Sequence, residues 1–173
     1  MPWLSRLQCG FFVLFSACGS VSDDVDASSD SGDPDSGSVA THYVELGTGQ
    51  ERFVPVTDVG SRVELVAGFQ GGFHIDVAVR LYDMPVDGLV LRYEVRDLDG
   101  TVRSLPAEYA LRESRATREG DAWVHTGNFV QLDIRVASDV IGDTVVLAVE
   151  ADPLGRLAPV TDEVTVTVAD DEP

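Results

Sequence analysis

Hydrophobic and polar positions alternate with a period of two through most of residues 39–173, the pattern of strands that bury one face and wet the other. In 73–82, Phe73, Ile75, Val77, Val79 and Leu81 share one face, and His74, Asp76, Ala78, Arg80 and Tyr82 the other. Leu89, Leu91, Tyr93 and Val95 oppose Val90, Arg92, Glu94 and Arg96, while Val130, Leu132, Ile134 and Val136 oppose Gln131, Asp133 and Arg135. Val145, Leu147, Val149 and Ala151 alternate with Thr144, Val146, Ala148 and Glu150, and Val164, Val166 and Val168 close the series around Thr165 and Thr167. Shorter strands are predicted at 43–46, 52–56, 62–67, 101–105 and 122–126. The segment 107–118 has poor helical spacing and reads as irregular, with room for a short strand or a single helical turn.

Turn residues fall between these runs. Asp99-Gly100 marks a hairpin turn after the 89–96 strand, and Asp152-Pro153-Leu154-Gly155 joins the last two long strands. About eight to ten short strands so punctuated predict an all-β domain, an antiparallel two-sheet sandwich. Residues 39–173 suffice to bury about two-thirds of their unfolded surface without disulfides or metal.

The start of the chain follows a different rule. Residues 1–8 carry one charge, Arg6, and lead into the apolar Cys9-Gly10-Phe11-Phe12-Val13-Leu14-Phe15 and the small Ser16 and Ala17 before Cys18. This is the charged, apolar and small-residue order of an export signal, and its apolar run is far short of the about 20 residues that span a bilayer. Residues 1–17 are therefore expected to be removed. Leu14-Phe15-Ser16-Ala17-Cys18-Gly19 resembles the lipobox of bacterial lipoproteins, cut immediately before a Cys whose sulfur carries diacylglycerol. Ser16, Ala17, Cys18 and Gly19 match that pattern, and Phe15 stands where Leu is usual. The resemblance implies lipidation of Cys18 and, with Gly rather than Asp after the Cys, an outer-membrane address, periplasmic or surface-facing.

Cysteine usage agrees, since of the two Cys one, Cys9, lies in the signal, and Cys18 alone remains in the exported chain. That leaves no partner for an internal disulfide in an oxidising compartment, whereas acylation accounts for a lone exported Cys. Residues 19–38 contain six Asp, seven Ser and no Arg, too little apolar surface to offset ordering entropy. Residues 18–38 thus read as the lipidated Cys and a disordered acidic tether extended by like-charge repulsion. A weak Ca²⁺-collecting tail is the sharper alternative for its Asp residues.

Asp143 to Val168, DTVVLAVEADPLGRLAPVTDEVTVTV, resembles the final hairpin of bacterial immunoglobulin-like domains. Together with Glu45-Leu46-Gly47-Thr48-Gly49 and the run from Val63 to His74, it also resembles a group of predicted exported lipoproteins of Gram-negative bacteria that carry no assigned activity. The resemblance implies an immunoglobulin-like sandwich over 39–173 and the same envelope address.

Charge narrows the partners. The 173 residues hold 30 acidic and 12 basic side chains, every basic one Arg, for a formal charge of −18. Removing Arg6 and the six tether Asp leaves 24 acids and 11 Arg in 39–173, so the domain itself carries −13. Nucleic acid is excluded as a partner because its phosphates are bound by clustered cations. Such a balance keeps a chain soluble, gathers cations, and suits a salty habitat equally well.

No nucleophile elbow, phosphate loop, zinc-protease helix or dinucleotide fingerprint occurs, and no cofactor is implied. The most distinctive segment is Gly68-Phe69-Gln70-Gly71-Gly72-Phe73-His74-Ile75-Asp76, a glycine turn into a long strand that places His74 and Asp76 on one face. With a third donor such as His42 or His125, that pair would form a metal site; by themselves they read as a polar outer face. Asp97-Leu98-Asp99-Gly100 lacks the distal Glu of a calcium loop and reads as a turn. Arg112, Arg115 and Arg118 with Glu113 and Glu119 read as a solvated loop, or as a surface for acidic groups. The sequence thus leads to two expectations. One is a noncatalytic, lipid-anchored binding or structural module that meets an envelope protein or polysaccharide at its loops or an edge strand. The other is a metal-binding or metal-dependent envelope protein using His74 and Asp76.

Overall fold

The computed structural model describes residues 42–57, 60–69 and 71–170; the signal, Cys18 and the 18–38 tether lie outside the described residues. The alternating runs form strands β1 (Tyr43–Thr48), β2 (Val54–Pro55), β3 (Ser61–Ala67), β4 (Phe73–Tyr82), β5 (Val90–Asp97), β6 (Ala107–Ala110), β7 (Thr117–Glu119), β8 (Ala122–Leu132), β9 (Thr144–Asp152) and β10 (Val160–Asp170). Single 3-10 turns at Glu113–Arg115 and Ala137–Asp139 are the helical elements among the described residues. The fold is all-β.

The strands make one curled sheet in the order β2-β1-β4-β3-β10-β9-β5-β6, with β8 paired to β4 and to β7. The curl turns on β3, whose last residues Val66 and Ala67 pair antiparallel with His74 and Phe73 of β4. Its earlier residues, Ser61 to Leu65, pair in parallel with Val166 to Asp170 of β10. The expectation of a purely antiparallel arrangement is thereby corrected: the sheet is mixed. A parallel pair cannot be closed by a hairpin, so β3 meets a strand from the far end of the domain and no local turn signal reports the contact. β1 is tied to β10 as well, through the Leu46 N–H donating to Asp162 Oδ2 at 2.8 Å.

One core fills the curl. Ile75, Val77, Val79 and Leu81 of β4 meet Leu91 and Val95 of β5, Val130 of β8, Val145 and Leu147 of β9 and Val166 of β10, all with no accessible surface. Burying each such side chain contributes about 1.5–3 kcal/mol, and the branched chains suit the pleat.

Two predicted strands, 122–126 and 130–136, are one strand ending at Leu132. Between the pairs Val79–His125 and Val77–Asn128, β4 contributes Ala78 while β8 contributes Thr126 and Gly127. Gly127, at φ 78°, takes the left-handed conformation that begins a glycine bulge. The extra residue shifts the side-chain phase, so His125 and Asn128, three apart, both point inward. The segment expected as a strand at 101–105 makes only isolated bridges, Arg96 to Val102 and Ser104 to Leu132. The 107–118 segment holds β6, a 3-10 turn and the first residues of β7.

Ala78, placed by alternation on the wet face, is buried there against Phe53 and Val124. Gly47 makes this satellite cluster fit, since a Cβ there would lie 2.5 Å from the Phe53 ring. The Arg80 guanidinium covers the same ring at 4.3 Å from its centroid. On the outer face of β5 and its neighbours each Arg is set among acids. Arg92 bonds Glu150 at 2.6 Å, Glu108 at 3.0 Å and Asp152 at 3.1 Å, and Arg96 bonds Glu163. The hydrogen bonds that the Arg92 guanidinium donates to Glu150, Asp152 and Glu108 hold it further into its charged form.

Candidate functional site

The β3–β4 turn is built by glycine. Gly68 N–H donates to Gly72 O and Gly71 N–H to Gly68 O, both at 3.0 Å. Gly71 and Gly72 sit at φ 89° and 85°, a region closed to most side chains. Phe69 is carried on this turn, fully exposed.

From the turn, β4 runs out with His74 and Asp76 on its outer face, cross-paired to Gln131 and Phe129 of β8. The expected pairing of His74 and Asp76 is thus realised in space. His74 Nε2 lies 3.5 Å from Asp76 Oδ1, and Gln50 Nε2 donates to the other carboxylate oxygen at 2.8 Å. The His74 ring leans on Phe129, centroids 5.1 Å apart at 56°. Gly72 is in close register with Gln131, whose Nε2 would be 3.0 Å from a Cβ on that residue.

These groups border three depressions. The cleft between the glycine turn and β8, about 510 Å³, is lined by Phe69, Phe73, His74, Phe129, Gln131 and the turn glycines. Across the Phe129–Gln131 ridge lies a second hollow of about 250 Å³, lined by Leu105, Pro106 and Tyr109 among others. Asp76 faces a third, about 490 Å³, with Gln50, Thr48, Arg62 and Glu64. The described lining of the first cleft carries aromatic faces, an amide and an imidazole, and neither a carboxylate nor a guanidinium.

Tyr109 completes the ridge. Its hydroxyl donates to Phe129 O at 2.6 Å and accepts from Phe129 N–H at 3.4 Å, occupying both backbone groups of that residue. Next along the strand, Leu105 N–H donates to Gln131 O at 2.8 Å. The tyrosine ring also meets the Phe129 and Tyr93 rings edge-on, at 6.4 and 5.9 Å.

The other sequence-derived candidates lie elsewhere. His42 Nε2 is 3.0 Å from Ala158 O. His125 is buried on the inner face, between Arg115 O and Asn128. Neither histidine joins His74 and Asp76, and among the described residues no group of three His, Cys, Asp or Glu is placed to hold a metal ion. Asp97 to Gly100 form a turn, with Gly100 N–H donating to Asp97 O at 3.0 Å and Thr101 N–H to Asp99 Oδ1 at 2.9 Å. That backbone bond from Thr101 lowers the Asp99 pKa, and the Asp97 carboxylate faces Arg103 rather than a cation site. In the arginine-rich loop, Glu119 pairs with Arg80, and Arg118 lies over Trp123.

Phe69, Phe129, Gln131 and Tyr109 were not singled out by sequence reasoning. One signal was present: Phe129 shares the alternation phase of Gln131 and Asp133, and so stands as an aromatic ring in a polar row. No protein-family model matches the chain, and no curated protein is significantly similar to it.

Proposed function

We propose that this protein is a lipid-anchored, noncatalytic binding module of the Gram-negative cell envelope, held at the outer membrane through Cys18. Its acidic 18–38 tether lifts an immunoglobulin-like sandwich clear of the lipid surface. The anchor reading is supported by the lipobox-like LFSACG at the end of an export signal and by the absence of Lys or Arg from the tether. The sandwich reading is supported by the path of β3, which pairs first with β10 and then with β4, so that β4 with β8 and β5 with β9 and β10 face one another across one core.

The observation that carries a binding role is the aromatic ridge. Phe69, on the β3–β4 turn, is fully exposed, and Phe129, on a strand whose backbone is already paired, is 46% exposed, both beside polar side chains. Holding two aromatic rings in water forgoes burial that a bound partner would restore. Such rings beside an amide and an imidazole suit recognition.

Fatty-acid labelling in cells tests the anchor. Wild type should take label and fractionate with the outer membrane, while Cys18→Ser should do neither. Equal label in both proteins would sink the anchor reading.

A further inference from the structure

We infer that the ridge of Phe129 and Gln131, with the hollows on either side of it, is a binding site for an uncharged polysaccharide chain. The inference rests on the binding-module reading above and names the ligand class.

The chemistry of the walls selects the ligand. Phe69 stands on one side of the larger cleft and Phe129 on the other, giving apolar faces against which the C–H face of a pyranose ring can lie. Gln131 and His74 supply groups that both donate and accept, which matches sugar hydroxyls, themselves donors and acceptors. No cation is among the described lining residues, and the domain carries −13, so an anionic ligand meets repulsion with nothing to offset it. The larger cleft has no carboxylate to hold a cationic one, and Glu108, which lines the smaller hollow, is paired with Arg92 at 3.0 Å.

The shape selects a chain. The ridge separates hollows of about 510 and 250 Å³, and Phe129 and Gln131 line both, so consecutive sugar units can sit on the two sides of one ring. A peptide would gain its affinity here by adding a strand, and that route is closed. The Tyr109 hydroxyl occupies both backbone groups of Phe129, and Leu105 N–H occupies Gln131 O. What is left for recognition is side chains on a paired sheet. The His74 ring is steadied by its contacts with Asp76 and Phe129, and Asp76 in turn by Gln50, so the polar groups are held in place before ligand arrives.

The full chain, purified in detergent, tests this by affinity electrophoresis in gels containing dextran, galactomannan or, as the charged control, alginate, and by pelleting with Gram-negative sacculi. The neutral gels separate free polysaccharides from wall glycan as the source. Retardation by a neutral polymer or co-pelleting with sacculi is expected, insensitive to added salt and absent in alginate. Phe69→Ala and Phe129→Ala should each weaken it by about tenfold, as loss of a central aromatic contact does. Phe69 is fully exposed, so its removal leaves folding unchanged, as an unaltered circular dichroism melt would show. Retention that both variants keep would overturn the site.

A photoreactive benzoylphenylalanine in place of Phe69, irradiated in cells, separates the two levels of the proposal. Protein captured there, with no retention by any glycan, overturns the polysaccharide class and leaves the binding module standing. Neither capture nor retention overturns both.

Discussion

His125 and Asn128 are joined across the Gly127 bulge, with His125 Nε2 3.1 Å from Asn128 Oδ1. The amide nitrogen of Asn128 reaches on to the Tyr93 hydroxyl at 3.3 Å, and His125 Nδ1 reaches Arg115 O at 2.8 Å. A polar chain thus crosses the core from β5 through β8 to the 3-10 turn at Glu113–Arg115. Both ring nitrogens face oxygens, and a neutral imidazole donates to one of them. Turning the Asn128 amide end for end gives the other nitrogen an N–H to accept and offers Oδ1 to the tyrosine hydroxyl.

Asn128→Leu should therefore destabilise the domain by about 2–4 kcal/mol, because it strands two buried groups at once, on His125 and on Tyr93. Tyr93→Phe in the same background should cost less than Tyr93→Phe alone, since the hydroxyl it removes has already lost its partner. Urea unfolding of the four members of this cycle measures the coupling. Strict additivity would show that Asn128 and Tyr93 are not coupled.

The bulge makes a second prediction. Gly127 adopts φ 78°, and a Cβ there would lie no closer than 3.7 Å to its nearest neighbour, Gln50 O. Gly127→Ala thus tests backbone conformation with little steric interference, and should cost about 1–2 kcal/mol. Deleting Gly127 is a different matter. It takes out the extra residue, so that His125 and Asn128 stand two apart and plain alternation keeps both of them, with Val130 and Leu132, on the core face. The deletion should therefore keep cooperative unfolding in a thermal melt, as the alanine variant does, and a loss of cooperativity on deletion would show that the bulge itself is required.

Much of the fold was legible because period-two alternation reports burial directly. β4, β5, β9 and β10 stand within a few residues of where Phe73 to Tyr82, Leu89 to Arg96, Thr144 to Ala151 and Val164 to Val168 place them. The pattern failed where a single residue changes phase or a contact is remote. Gly127 split one strand into two apparent ones, and the parallel pairing of β3 with β10 has no local trace. The site was half legible. Strand spacing put His74 beside Asp76, whereas the remoteness of His42 and His125 is a matter of topology. Tyr109 lies in a stretch without periodicity, and only the sheet brings it to Phe129.

Arg92 tests how the acidic surface is held together. Its guanidinium lies among Glu108, Glu150 and Asp152, and removing it leaves these carboxylates facing one another. Arg92→Ala should lower the melting temperature at low ionic strength, and the deficit should shrink as NaCl is added, because these groups are partly exposed and screened. Arg92→Lys should recover only part of the loss, since an ammonium lacks the fork that reaches several carboxylates. A deficit independent of salt would assign the effect to packing of the arginine stem instead.

Stability should fall at both extremes of pH, for opposite reasons. Asp152 has its pKa lowered first by the backbone N–H of Leu154 and then by Arg92, and Asp99 by the backbone of Thr101. A depressed folded value means that the unfolded chain binds protons first. The stabilisation is therefore whole above the ordinary carboxylate pKa of about 4 and is lost as pH falls from there through the folded value. Asp152→Asn should flatten that acid decline. Tyr93 behaves inversely, its phenol pushed up by burial. Its contribution is whole below the unfolded tyrosine pKa of about 10 and is lost as pH rises toward the folded value, because only the unfolded chain then releases the proton. Urea midpoints measured from acid to alkali should show both limbs, and Tyr93→Phe should remove its share of the alkaline limb while leaving the acid limb in place. An alkaline decline unchanged in Tyr93→Phe would refute the assignment to this hydroxyl.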